Sequence, residues 1–253
     1  MSKVISIITQ KGGVGKTTIV NALASVLSQR GLRILTIDMD PQGNLSYSVG
    51  AETENSPTSY NVLRGDVDAQ YAVQRYSMTD IIPSNILLSS IELEFTGYNR
   101  EYLLSKAIKN IKPIYDFVFI DSPPGLGILT VNALTASDYV ILPMLPDIFS
   151  LQGISMVYET IEHIQQSCNP KLRPLGILVN KFNRYSLLHR EILGTANMIS
   201  ESTGIPVFKT MIRNCNELSE AQSLQCDIND YAKRCKGVKD FNKLANELKE
   251  RGL

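Results

Sequence analysis

Three observations predict an α/β fold for this chain: a doubly wound, mostly parallel sheet with helices on both faces. Short apolar runs recur near residues 4–8, 33–37, 117–120, 139–143 and 175–179, with helical patterns between them. That alternation marks a parallel sheet whose right-handed crossovers carry the helices. A glycine-rich loop follows the first run directly, and carboxylates close the second and third, at the sheet edge where open α/β folds hold their ligands. The 253 residues suit one such domain, spanning 1–253.

The first run, Val4-Ile5-Ser6-Ile7-Ile8, leads into Gln10-Lys11-Gly12-Gly13-Val14-Gly15-Lys16-Thr17-Thr18. Gly12, Gly13 and Gly15 permit backbone angles that a side chain resists. The turned backbone, from Gly12 through Thr18, then aims several N–H groups at one point, and the helix opening near Thr17 adds the positive end of its dipole. Lys16 is spaced to reach the β- and γ-phosphates of a nucleoside triphosphate, and the Thr17 hydroxyl to ligate Mg²⁺. The common spacing G-x-x-x-x-G-K-[ST] is not met in full, because Gln10 stands where its first glycine would fall. A tighter K-G-G-x-G-K-T-T takes its place, with an extra lysine, Lys11.

The second run ends in Asp38-Met39-Asp40-Pro41-Gln42-Gly43-Asn44. Two acids two residues apart need not share a role: one supports Mg²⁺ and its water shell, and the other orients an attacking water. The third run, Phe117-Val118-Phe119-Ile120, ends in Asp121 and Ser122-Pro123-Pro124-Gly125. An apolar strand followed by an acid, after the loop and the Asp40 motif, is the pattern that holds Mg²⁺. The metal candidates are therefore Thr17, Asp38 and Asp121. Pro123-Pro124-Gly125 marks a segment able to sense the γ-phosphate.

K-G-G-x-G-K-[ST]-T resembles the deviant phosphate loop of the ParA/MinD ATPases, a branch of the P-loop NTPases. Asp38–Asn44, Ile82-Pro83-Ser84-Asn85, Ile91–Glu94, Thr130–Asp138 and Leu218–Ala221 extend the resemblance to ParA/Soj partition ATPases over nearly the whole chain. The resemblance implies ATP and Mg²⁺ as cofactors and a homodimer formed on ATP binding. In it, Lys11 reaches the partner's nucleotide and Asp40 positions the hydrolytic water. It also implies nonspecific DNA binding, a ParB-like centromere-binding partner and a cytoplasmic, nucleoid-associated location. Asn180, after the run Leu178-Val179, stands where similar ATPases read the base, and 211–214 stands where a base-packing loop usually contains proline. Two residues precede the first strand, so the small Soj-like branch, without an N-terminal DNA-binding domain, is expected.

Net charge is zero but uneven. Residues 171–190 carry Lys171, Arg173, Lys181, Arg184 and Arg190 with no acid. Residues 231–253 carry seven bases, among them Lys233, Arg234 and Lys236, against three acids. Such segments suit sequence-independent phosphate contacts, which gain from counterion release, and they equally suit ordinary solvated lysines. By resemblance Arg184 falls near a DNA-contacting arginine, whereas Glu217 stands where a second one is common. A carboxylate there favours the alternative of an adaptor that positions a protein complex. No apolar stretch reaches the roughly 18 residues needed to span a bilayer. The last helical pattern, near 238–250, has a stripe too thin for a membrane surface and is expected to dock on the core. Cys168, Cys215, Cys226 and Cys235 lack metal or redox spacing.

Overall fold

A computed structural model describes residues 2–253. Seven strands form one sheet: β1 (Lys3–Ile7), β2 (Ile34–Asp38), β3 (Gln74–Tyr76), β4 (Thr79–Ile82), β5 (Phe117–Asp121), β6 (Tyr139–Met144) and β7 (Arg173–Val179). The order across the sheet is β3-β4-β2-β5-β1-β6-β7. Every pairing is parallel except the β3–β4 hairpin at one edge. The five expected runs are the five central and far-edge strands, each within a few residues of its expected place. The hairpin was not anticipated: β3 is short, polar and half-exposed, so it carries no apolar run to find.

The helices are α1 (Lys16–Ser28), α2 (Asn44–Ser48), α3 (Ser59–Arg64), α4 (Ile91–Glu94), α5 (Leu103–Ala107), α6 (Ile128–Ala136), α7 (Ile148–Ser167), α8 (Leu187–Thr203), α9 (Asn216–Ser223), α10 (Ile228–Ala232) and α11 (Lys236–Glu250). Alternate strand residues face opposite layers. Ile5, Ile7, Phe117 and Phe119 pack with α1 and α11 on one face. Val4, Val118, Ile120 and Leu142 pack with α6 and α7 on the other. Both faces are therefore apolar, which is why the central strands read as continuous apolar runs.

α11 docks on this core as expected, burying Val238, Phe241, Leu244 and Leu248. No helix among the described residues is long and apolar enough to cross a membrane.

Register sets up the site. β5 lies between β1 and β2, with Ile7 opposite Asp121 and Asp38 opposite Asp121. The two carboxylates thus end neighbouring strands side by side, next to the loop that leaves β1. The chain passes from β1 over β5 to β2 on one side and, later, from β5 over β1 to β6 on the other, and such a reversal opens a crevice at the carboxyl ends of the strands.

Candidate active site

At that crevice lies a cleft of about 580 Å³ lined by Gly12, Gly13, Gly15, Lys16, Thr17, Thr18, Asp40, Pro124 and Asn180, and closed by residues 213–223. The loop takes the backbone its glycines permit. Gly13 and Gly15 have φ of +74° and +94°, and a Cβ on Gly15 would come within 2.5 Å of Asn180 Nδ2, so both conformation and space demand glycine there. Gly15 caps α1 without a side-chain bond, and no acid occupies the helix's first turn. The first-turn amides are left for an anionic ligand.

Lys16 is buried. Desolvation lowers its pKa, while Asp121 and then Asp40 act to raise it. Thr17 Oγ1 donates to Asp121 Oδ2 at 2.7 Å. The other oxygen, Asp121 Oδ1, is buried with no protein partner. Burial first, and then the Asp38 charge, raise the Asp121 pKa well above the carboxylate range. A fully buried carboxylate with one oxygen free of protein partners, beside a threonine hydroxyl, is a donor set that suits a hard cation.

Asp38 has different employment. Its Oδ1 accepts the Asp40 N–H at 3.0 Å, and its Oδ2 accepts the Ser46 N–H at 2.9 Å and the Ser46 hydroxyl at 2.7 Å. Burial pushes its pKa up to about 6 against those bonds. Both oxygens of Asp38 are hydrogen-bonded into the loop that follows β2, whereas Asp121 keeps one oxygen without a protein partner. Asp40 lines the cleft, with Oδ1 accepting the Gln42 N–H at 3.0 Å.

Asn180 is buried, and its amide is partly committed. Nδ2 donates to the Val14 carbonyl at 2.7 Å, and Oδ1 accepts the Lys181 N–H at 2.9 Å. The contact visible in the structure is a tether between the end of β7 and the phosphate loop. Thr18 Oγ1 donates to Gln222 Oε1 at 2.9 Å, tying α1 to α9. Gly125 N donates to Gln10 O at 3.1 Å, linking the segment after β5 to the loop.

Lys11 points away from the cradle. Its Nζ lies 2.9 Å from Asp147 Oδ2 and 5.6 Å from the centre of the Phe149 ring. Asp147 was not singled out from the sequence. The available signal was Asp147-x-x-Ser150 ahead of an apolar helix, a helix-capping pattern, which says nothing of Lys11.

Arg184, Lys233, Arg234 and Lys236 are all exposed. The two basic segments converge on Arg213. Phe182 pairs with Arg213 in an isolated bridge, and Arg213 Nη2 donates to Lys236 O at 3.3 Å. Asp240 holds Arg213 through Nε and Nη2, both at 2.8 Å. Glu217 lies beside this surface. Its carboxylate is held below the usual range, first by the Cys215 thiol and also by Lys236.

Known proteins share this architecture. An AAA domain family model (AAA_31) matches residues 2–174. The chain is 36% identical to the chromosome partitioning protein ParA of Caulobacter vibrioides, over 97% of this chain and 93% of the relative. It is 34% identical to the sporulation initiation inhibitor protein Soj of Bacillus subtilis, over the full length of both. Among solved structures, cobyrinic acid a,c-diamide synthase from Mycobacterium smegmatis with bound ADP and magnesium is similar with a TM-score of 0.85 at 31% identity, covering 98% of this chain and 94% of that one. The cell division ATPase MinD of Pyrococcus furiosus gives 0.80 at 26% identity, covering 99% of this chain and all of that one. With the deviant phosphate loop, the parallel sheet and these full-length relatives in agreement, the chain belongs to the ParA/Soj family of P-loop ATPases.

Proposed function

We propose that the protein is an ATP-dependent molecular switch that dimerises on ATP, binds DNA without sequence preference and hydrolyses ATP to segregate or position a plasmid or chromosome. The observation that carries this reading is the cluster at the carboxyl ends of β1, β2 and β5. A bare helix N-terminus and the buried Lys16 line one cleft, and the Thr17 hydroxyl on its wall donates to Asp121, a buried carboxylate with one orphaned oxygen. The glycine loop and the first turn of α1 bind the phosphates through backbone N–H groups, and Lys16 offsets charge on the transferring phosphoryl group. Thr17 and Asp121 fit Mg²⁺, which would supply further charge neutralisation at the phosphates when bound with ATP. Asp40 orients the attacking water. Lys11, unused by its own cradle, serves the nucleotide of a second subunit. A partner of ParB type would shorten the lifetime of the ATP state. Arg184, Lys233, Arg234 and Lys236 supply the DNA surface.

Asp40→Ala tests the catalytic assignment. ATP binding persists, phosphate release falls by about a hundredfold or more, and the ATP-loaded dimer accumulates in sedimentation. Hydrolysis at the wild-type rate would remove Asp40 from the mechanism. The neighbourhood of Glu217 and Lys236 favours a second reading, an adaptor that positions a protein complex with little DNA binding. Retention on random duplex DNA at low salt, with ATP and Mg²⁺, separates the two: no retention selects the adaptor.

A further inference from the structure

Lys11 is the signature residue of the loop, yet in this structure it is engaged elsewhere. β6 pairs with β1, with Ile7 opposite Ile141, so the loop after β6 runs alongside the loop after β1. That loop ends at Asp147, the N-cap of α7. Asp147 Oδ1 accepts the Ser150 N–H at 2.7 Å, which fixes the carboxylate in place. Its second oxygen receives Lys11 Nζ at 2.9 Å. Phe149, in the first turn of α7, puts its ring over the same ammonium. Phe149 and its neighbour Ile148 are 73% and 69% exposed. The division of labour within Asp147 is specific: one oxygen holds the helix, and the other holds the lysine.

We infer that Asp147 is a positioning residue that holds Lys11 in the single subunit, and that the ATP-loaded dimer forms only when each Lys11 leaves Asp147 for the opposite subunit's phosphates. This rests on the reading above, in which Lys11 acts across a dimer interface. The carboxylate therefore sets the threshold for switching without touching nucleotide. Before dimerisation it neutralises a cation that would otherwise stand unpaired beside its own phosphate loop. Both partners are about one-third exposed, so each pair is worth a few-fold in an equilibrium constant, and two are broken per dimer. Together they shift dimerisation by roughly tenfold.

The test uses the full chain and compares wild type, Asp147→Asn, Lys11→Ala and the double variant. Asparagine caps a helix as well as aspartate, so α7 is retained while the ion pair is lost; Asp147→Ser is the second cap-competent variant should the first fail to fold. In the nucleotide-free protein, amine labelling at Lys11, read by mass spectrometry, should rise several-fold in Asp147→Asn. With a non-hydrolysable ATP analogue and Mg²⁺, the same variant should dimerise at about one-tenth of the wild-type protein concentration. That gain should vanish in the Lys11→Ala background. Unchanged labelling overturns the restraint. So does a wild type that dimerises no less readily than Asp147→Asn, or a gain that survives without Lys11. If labelling rises but no form dimerises, the restraint stands and the dimer reading beneath it fails.

Discussion

Two regions of this molecule treat buried charge in opposite ways. At the carboxyl edge of the sheet, Asp38 and Asp121 are buried side by side, both with raised pKa values, and one oxygen of Asp121 has no partner. Where α11 packs on residues 207–212 beside β7, the buried Glu247 is saturated. It accepts the Lys209 and Thr210 N–H groups, each at 2.9 Å, and pairs with Arg251 at 2.7 Å. Burial alone would raise its pKa, but these bonds hold its carboxyl below the usual range. Arg251 is itself fixed by the Leu175 carbonyl and the face of Phe208. The contrast separates a carboxylate whose two oxygens both have partners from one with an oxygen left over. Nearly all buried polar groups in folded proteins find partners, so an unpartnered carboxylate oxygen beside the phosphate loop is a candidate point for a ligand.

The comparison can be broken most sharply at Glu247. Glu247→Ala removes the carboxylate partner of the partly buried Arg251 and leaves the Lys209 and Thr210 N–H groups unpaired, and should lower stability by about 2–3 kcal/mol in urea unfolding. A loss below half that figure would mean that the saturated network contributes little. Asp121→Asn should do the reverse in the nucleotide-free protein. It removes a desolvated charge and leaves an oxygen for Thr17, so stability should rise by about 1 kcal/mol. The same change should weaken nucleotide binding with Mg²⁺ far more than without it. A destabilised Asp121→Asn would show that the carboxylate holds the fold together.

The smallest effect is in pH. The folded pKa of Glu247 is depressed, so its contribution is present above the unfolded value of 4.5 and is lost as pH falls through the folded one. Asp38, raised from 3.8 to about 6, behaves oppositely. The folded state keeps a proton that the unfolded chain releases, so its contribution is full below about 4 and lost as pH rises through about 6. Thermal unfolding across this range should show the limb near pH 6 flattened by Mg²⁺ and an ATP analogue, and the acid limb flattened by Glu247→Gln. If neither limb responds, the contrast between the two regions has no thermodynamic weight.

Much of the site was legible because it is local. Lys11 through Thr18 form one continuous loop, and Asp40 and Asp121 each follow an apolar run. Contacts between distant segments were not legible. Nothing near Asp38 in the chain announces that Ser46 takes up its second oxygen. Nothing near Asn180 announces Val14 as its partner, 166 residues away. The hairpin is not legible in the sequence because β3, at the sheet edge, is polar and half-exposed and β4 is only four residues long.

The order of elements, the phosphate loop and the acids at the strand ends follow from the chain alone, since they depend on backbone preference and on which residues tolerate burial within a few positions of one another. Tertiary structure decided the rest. Strand register set Asp38 against Asp121, the β1–β6 pairing brought Lys11 to Asp147, and Arg213 joined two basic segments that are far apart in sequence. Each of these is a meeting across the sheet, and no local rule of spacing can specify which side chain will stand opposite another once the strands have paired.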